Sequence, residues 1–161
     1  MAVPPKGDIH PAVHAVTLFS REYPKGDEGG TDTCVRVAQG RAALSLHQFW
    51  DELVTSSNNT RTLRNVAIEL TNRFPRTGLT ELAAATPEIW AEESFDIATK
   101  IGYQNGAFRG TPKGQRKECR EVTDAAVLPA GYAAISRKIA NRRMMLSGYR
   151  LAIFLQRIAT N

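Results

Sequence analysis

The sequence predicts an all-α fold, a mainly helical domain behind a long irregular N-terminal segment, on three observations. Apolar residues recur at three- and four-residue spacing in several stretches after Gly40. Cap residues and breakers fall at the ends of those stretches. Residues 1–32 are too rich in Pro, Gly and charge to sustain regular structure. With 161 residues the chain suits one domain over 1–161, at the usual density of about 100 to 200 residues per domain. Folding at this size buries roughly 68–70% of the unfolded surface, so no metal or disulfide is needed merely to fold.

In chain order, residues 1–32 read as loop, a short helical piece within Ala12 to Phe19, and loop. Cys34 to Val37 alternates as a short extended piece that Gly40 ends. Arg41 to Val54 has helical spacing through Leu44, Phe49 and Leu53, and Ser56-Ser57-Asn58-Asn59 breaks it. Thr60 is placed to cap a second helix whose stripe of Leu63, Val66, Ala67 and Leu70 runs to Phe74, before Pro75 stops it. Thr86-Pro87 is a cap followed by proline at the first helical position, so a third helix is expected through Trp90, Phe95, Ala98 and Ile101 to Gly102 or Gly106. Gly106 to Val127 reads as loop. The last helix follows Pro129, with Tyr132, Ile135, Ile139, Leu146, Tyr149 and Ile153 on its expected buried face. Trp50 and Trp90 fall within apolar helical patterns and are read as packing anchors, and Phe19, Tyr23 and Tyr103 as core rather than base-stacking groups.

Lys and Arg number 21 against 16 Asp and Glu, a net charge of +5 that mildly favours polyanionic partners. Arg109, Lys113, Arg116, Lys117 and Arg120 crowd one loop, and Arg137, Lys138, Arg142, Arg143 and Arg150 load the last helix without an acidic residue. Either set could follow a phosphate backbone. A solvated charged face is the commoner meaning of such a run and is preferred for the helix, whereas the loop stands even between the two. No apolar run approaches the roughly 20 residues of a membrane span, and the opening MAVPPKGD lacks a signal peptide's apolar region, so no membrane partner is expected. Cys34 and Cys119 permit one disulfide or two free thiols.

All three histidines, His10, His14 and His47, lie in the first third of the chain, each at metal-ligand spacing from a carboxylate or another imidazole. His47 and Asp51, four apart on a helix, project from one face. Asp8, His10 and His14 share a short loop able to fold onto that face. Two neutral imidazoles and one carboxylate, with a position left for water, make a catalytic zinc ligand set. On spacing alone the plainer reading is preferred, an exposed helical pair worth about 0.2 to 0.5 kcal/mol beside two loop histidines.

A resemblance changes that weighting. Gly7-Asp8-Ile9-His10-Pro11-Ala12-Val13-His14 resembles the Gly-Asp-x-His-Gln-Pro-Leu-His element of the S1/P1 nuclease family, zinc-dependent nucleases related to bacterial zinc phospholipase C. Asp27-Glu28-Gly29-Gly30 resembles the family's Gly-Gly loop, Leu46-His47-Gln48-Phe49-Trp50-Asp51 its Leu-His-x-x-Trp-Asp helix, and Ser147-Gly148-Tyr149-Arg150-Leu151-Ala152 its final-helix pattern, in the same order. The resemblance implies a mostly helical phospholipase C/nuclease-type fold with zinc as cofactor. It implies hydrolysis of phosphodiester bonds in single-stranded DNA and RNA, 3′-nucleotidase activity, and a secreted or periplasmic location that makes a Cys34–Cys119 bridge reasonable. Position by position, it implies that His14, His47 and Asp51 are the protein ligands of the most solvent-open zinc. Asp8 would be a metal-bridging carboxylate of the catalytic centre, and His10 a motif position that does not ligate. Arg109, Lys113, Arg116 and Lys117 would then be candidate contacts to nucleic acid.

Pro4 stands where the family has a ligand histidine, Pro11-Ala12-Val13 replaces Gln-Pro-Leu, and Thr31 replaces an Asn after the glycines. The chain is therefore expected to correspond to the C-terminal part of such a nuclease, with one zinc retained and activity impaired. The alternative is a noncatalytic remnant that binds zinc and nucleic acid. A phospholipase-like activity ranks third, because the chain is basic and has no membrane-seeking amphipathic stretch. The oligomeric state is left open.

Overall fold

The computed structural model describes residues 9–84 and 86–160. A 3-10 turn, Ala12–Ala15, leads to strand β1 (Thr33–Arg36), β2 (Leu44–Ser45) and helix α1 (Leu46–Asp51). Helices α2 (Thr60–Arg73) and α3 (Pro87–Ile97) follow, α3 passing into a π-helical turn at Ala98–Gly102. Strands β3 (Thr111–Pro112) and β4 (Ala126–Val127) precede the long helix α4 (Tyr132–Ala159).

The fold is mixed and mainly helical, which corrects the all-α expectation. Strand β1 is the centre of a four-stranded sheet, antiparallel to β2 and β3 and parallel to β4. Its Thr33, Cys34 and Val35 are all fully buried. The extended piece expected at Cys34 to Val37 is this strand, shifted by one residue, but its three two-residue partners carry no period at all, so the sheet around it is not legible in the sequence. The long irregular N-terminal segment is corrected as well. The Ala12–Ala15 turn drives Ala12 and Val13 into the main core, and β1 sits at its heart.

Local chemistry sets the helix ends. Ser45 Oγ accepts the Gln48 N–H at 3.0 Å and caps α1, which is shorter than expected because Leu44 and Ser45 pair with β1 instead. Asn59, not Thr60, caps α2, its Oδ1 accepting the N–H groups of Arg61 and Thr62. Thr86 and Pro87 start α3 as expected.

The main core joins Val13, Val35, Leu46, Phe49, Trp50 and Tyr132. Trp50 Nε1 donates to the Tyr132 hydroxyl at 3.2 Å, which donates in turn to the Gly102 carbonyl at 2.8 Å. The two Trp are buried, as are Tyr23 and Tyr103, but Phe19 is 68% exposed and is not core. A second cluster surrounds the Cys34–Cys119 disulfide with Ala43, Val122 and Ala125, pinning the 106–127 connection to β1. The bridge closes a separation of 85 residues. Replacing both cysteines by alanine is expected to cost about 2–4 kcal/mol, read as a lower urea midpoint; an unchanged midpoint would contradict a constraining role.

On α4 the buried line runs through Tyr132, Ser136, Arg143, Leu146 and Arg150, while Ile135 is 53% exposed. The solvated basic face expected there is corrected for its last three arginines. Arg142 pairs with Glu81 at 2.6 Å, and the buried Arg143 and Arg150 share Glu93. Burial alone would raise the Glu93 carboxyl, but hydrogen bonds from Arg150 and Arg143 outweigh it and hold the group below its ordinary 4.5. Arg142 holds Glu81 low in the same way. Burial pushes Tyr132 up to about 12, and Tyr103 is also raised, by burial and then by its bond to Asp27.

These shifts fix the pH limits of stability. The depressed carboxyls contribute stability that is present above 4.5 and lost as pH falls below it; the raised phenols contribute stability present below their ordinary 10 and lost as pH climbs toward 12. Thermal midpoints followed across pH are expected to fall on both sides of that plateau.

Candidate metal centre

Three side chains from two segments converge. His14 lies within the 3-10 turn, and His47 and Asp51 lie one turn apart on α1. His14 Nε2 is 3.2 Å from Asp51 Oδ1, His47 Nε2 is 3.5 Å from Asp51 Oδ2, and one donor atom from each residue lies within 4.8 Å of the others. The imidazoles stack at 4.6 Å between centroids, 10° from parallel. All three side chains keep a solvent-facing side, Asp51 the most at 45% exposed.

The Gly-Gly loop sets the His47 ring. His47 Nδ1 lies 3.0 Å from the Gly29 carbonyl, so the tautomer that donates Nδ1–H leaves the Nε2 lone pair directed at the shared site. The backbone of α1 docks on the same loop, the His47 N–H donating to the Gly30 carbonyl at 3.2 Å. Gly29 has φ +62°, and a Cβ there would meet the Val13 carbonyl at 2.7 Å and His47 Nδ1 at 3.6 Å. Only glycine lets the loop lie between the two histidine-bearing segments. Two imidazole nitrogens and a carboxylate, one imidazole fixed through its second nitrogen, fit zinc by donor type and outer contacts.

A cleft of about 340 Å³ opens beside the group, lined by His14, Asp51, Trp50, Val54, Arg143 and Met144. His10 also lines it but is engaged elsewhere. Buried at 2% exposure, it places Nε2 3.2 Å from Arg150 Nη1 and its ring 5.5 Å from Trp90. Asp8 lies outside the described residues.

The S1/P1 Nuclease family model matches residues 5–160, essentially the whole chain. The chain belongs to the S1/P1 nuclease family. No curated protein and no solved structure matches it. Membership makes it a member of a family of hydrolytic nucleases, whose substrate is nucleic acid and whose members are generally secreted. Among the described residues no helix is long and apolar enough to cross a membrane.

Within this S1/P1 nuclease the basic loop is split. Lys113 pairs with Asp32 at 2.6 Å, and Lys113 and Lys117 line a groove of about 570 Å³ along Thr31, Ser45 and Gln48, next to the helix that carries His47. Arg116 is exposed. Arg109 is held elsewhere, at 3.4 Å from Glu22. Two supporting groups were not read from the sequence. One is the Gly29 carbonyl, which no side-chain motif displays. The other is the Arg143/Arg150/Glu93 cluster, signalled by two arginines seven apart on the line of Leu146.

Proposed function

We propose that this S1/P1 nuclease is a zinc-dependent phosphodiesterase acting on single-stranded DNA and RNA and on 3′-nucleotides, with His14, His47 and Asp51 holding zinc. The convergence of those three donors within 4.8 Å, from segments more than thirty residues apart, carries the reading. Zinc so held would supply a Lewis acid that lowers the pKa of a water toward about 7 and offsets charge at the phosphoryl group. The chain's own residues do the rest. Gly29 fixes the His47 tautomer, Asp51 brings the negative charge that favours a divalent cation, and Asp8, six residues before His14, is proposed as a further carboxylate of the catalytic centre. Lys113 and Lys117, with the exposed Arg116 between them in the chain and Arg109 toward Glu22, are proposed to attract the phosphate backbone. A secreted location agrees with the disulfide, since such bonds persist in oxidising compartments.

The test is zinc content of the purified chain together with hydrolysis of single-stranded DNA before and after chelation. Bound zinc with chelator-sensitive hydrolysis that zinc restores is the expected result. Zinc bound without hydrolysis would favour a noncatalytic zinc- and nucleic acid-binding protein, and a chain that takes up no zinc would overturn both.

A further inference from the structure

Beneath the Gly-Gly loop lies a buried carboxylate whose side-chain hydrogen bonds come from Leu18, Thr33 and Tyr103. Asp27 is 0% exposed. Its Oδ1 accepts the Leu18 N–H at 2.9 Å, and its Oδ2 accepts the Thr33 hydroxyl at 2.8 Å and the Tyr103 hydroxyl at 2.6 Å. Three donors around an acceptor-only group satisfy it in place of water. The same residue's carbonyl accepts the N–H groups of Gly30 and Asp32, both at 3.1 Å, so the turn closes on Asp27. Between those anchors Glu28, Gly29 and Gly30 all have positive φ, +51°, +62° and +86°. A left-handed conformation at Glu28 costs roughly 1–2 kcal/mol, so the segment would relax if released. Its position is what presents the Gly29 carbonyl to His47 and the Gly30 carbonyl to the start of α1.

We infer that Asp27 is a positioning residue for the metal centre: its carboxylate, clamped by Tyr103, Thr33 and Leu18, holds the strained Glu28–Gly30 turn so that Gly29 fixes the ring of His47. The inference rests on the zinc reading for its consequence, but not for its geometry. An amide at this position would turn one hydrogen-bond acceptor into a donor facing Tyr103 and Thr33 or Leu18, and the turn would lose its anchor. Tyr103→Phe removes a single donor and leaves the other two bonds.

The experiment uses the full chain in two states. In metal-free protein at mildly alkaline pH, imidazole nitrogen shifts measured by NMR report the His47 tautomer. With zinc, and with cobalt as a spectroscopic substitute, affinity and the visible d–d bands report the assembled site. Asp27→Asn is expected to mix the His47 tautomers in the metal-free chain, weaken zinc by about 10-fold, the lower end for outer contacts, and shift the cobalt bands. Tyr103→Phe should show the same changes at smaller size, and it carries the test if Asp27→Asn does not fold. Val122→Ala, in the separate disulfide cluster, controls for lost stability and should move neither readout. Unchanged tautomer and zinc affinity in a folded Asp27 or Tyr103 variant would overturn the inference. A tautomer change in a chain whose wild type takes up no zinc would leave the positioning role standing and instead defeat the zinc assignment.

Discussion

Replacing Asp51 by asparagine is expected to abolish tight zinc binding, and phosphodiester hydrolysis with it, while leaving the metal-free fold nearly untouched. Asp51 is the one carboxylate among the three converging donors, and it lies within 3.5 Å of both imidazole nitrogens. Removing its charge leaves two neutral ligands for a divalent cation. Outer partners of ligands are themselves worth 10–100-fold in affinity, so loss of a direct ligand should exceed about 100-fold. The cost to folding is small, because the side chain is 45% exposed and exposed helical pairs contribute about 0.2–0.5 kcal/mol. Calorimetric zinc titration beside a denaturation curve in chelator separates the two effects. His14→Ala should match it in zinc affinity, although His14 comes from another segment. A variant Asp51→Asn that binds zinc as the wild type does would remove this residue from the centre.

How far the sequence exposed this arrangement depended on the range of each interaction. His47 and Asp51 were legible because four residues on a helix define one face, and Thr86-Pro87 because a cap and a fixed φ act within one turn. The approach of His14 was not. It depends on Gly29 lying between the Val13 carbonyl and the His47 ring, a contact that spacing does not encode. The motif resemblance supplied the pairing without its physical cause. The extended piece at Cys34 to Val37 was legible, but the sheet around it was not, because β2, β3 and β4 are too short to show a period.

The last helix shows the opposite failure, a pattern present but given the wrong meaning. Ile135, Tyr149 and Ile153 suggested a purely apolar stripe, yet the buried line passes through Ser136, Arg143 and Arg150. Two arginines seven apart beside Leu146 face the same side as the core. Cations so placed require an anion, and only the fold reveals that Glu93 of α3 provides it.

Glu93→Gln is therefore expected to be the most destabilising single change away from the metal ligands. Arg143 and Arg150 are 7% and 2% exposed, and both form ion pairs with this one carboxylate. Neutral acceptors would remain: Arg143 also donates to the carbonyls of His10 and Trp90 and to Ser94, and Arg150 donates to the Glu81 carbonyl and lies over the Trp90 ring. They satisfy geometry without cancelling charge. Breaking a buried pair from one side costs about 3–5 kcal/mol, here leaving two cations uncompensated, a large share of a typical 5–15 kcal/mol. At this chain length that corresponds to a thermal midpoint lower by roughly 6–20 °C. Zinc affinity should fall too, since Arg143 Nε holds the His10 carbonyl at 3.2 Å and thereby the segment leading to His14. The signature thus differs from Asp51→Asn, which loses metal without losing stability. A further contrast isolates the charge: replacing Glu93, Arg143 and Arg150 together by apolar residues of similar volume should be less harmful than Glu93→Gln alone, because it leaves no cation to neutralise. Should Glu93→Gln melt at the wild-type temperature, the carboxylate is not what keeps these arginines inside.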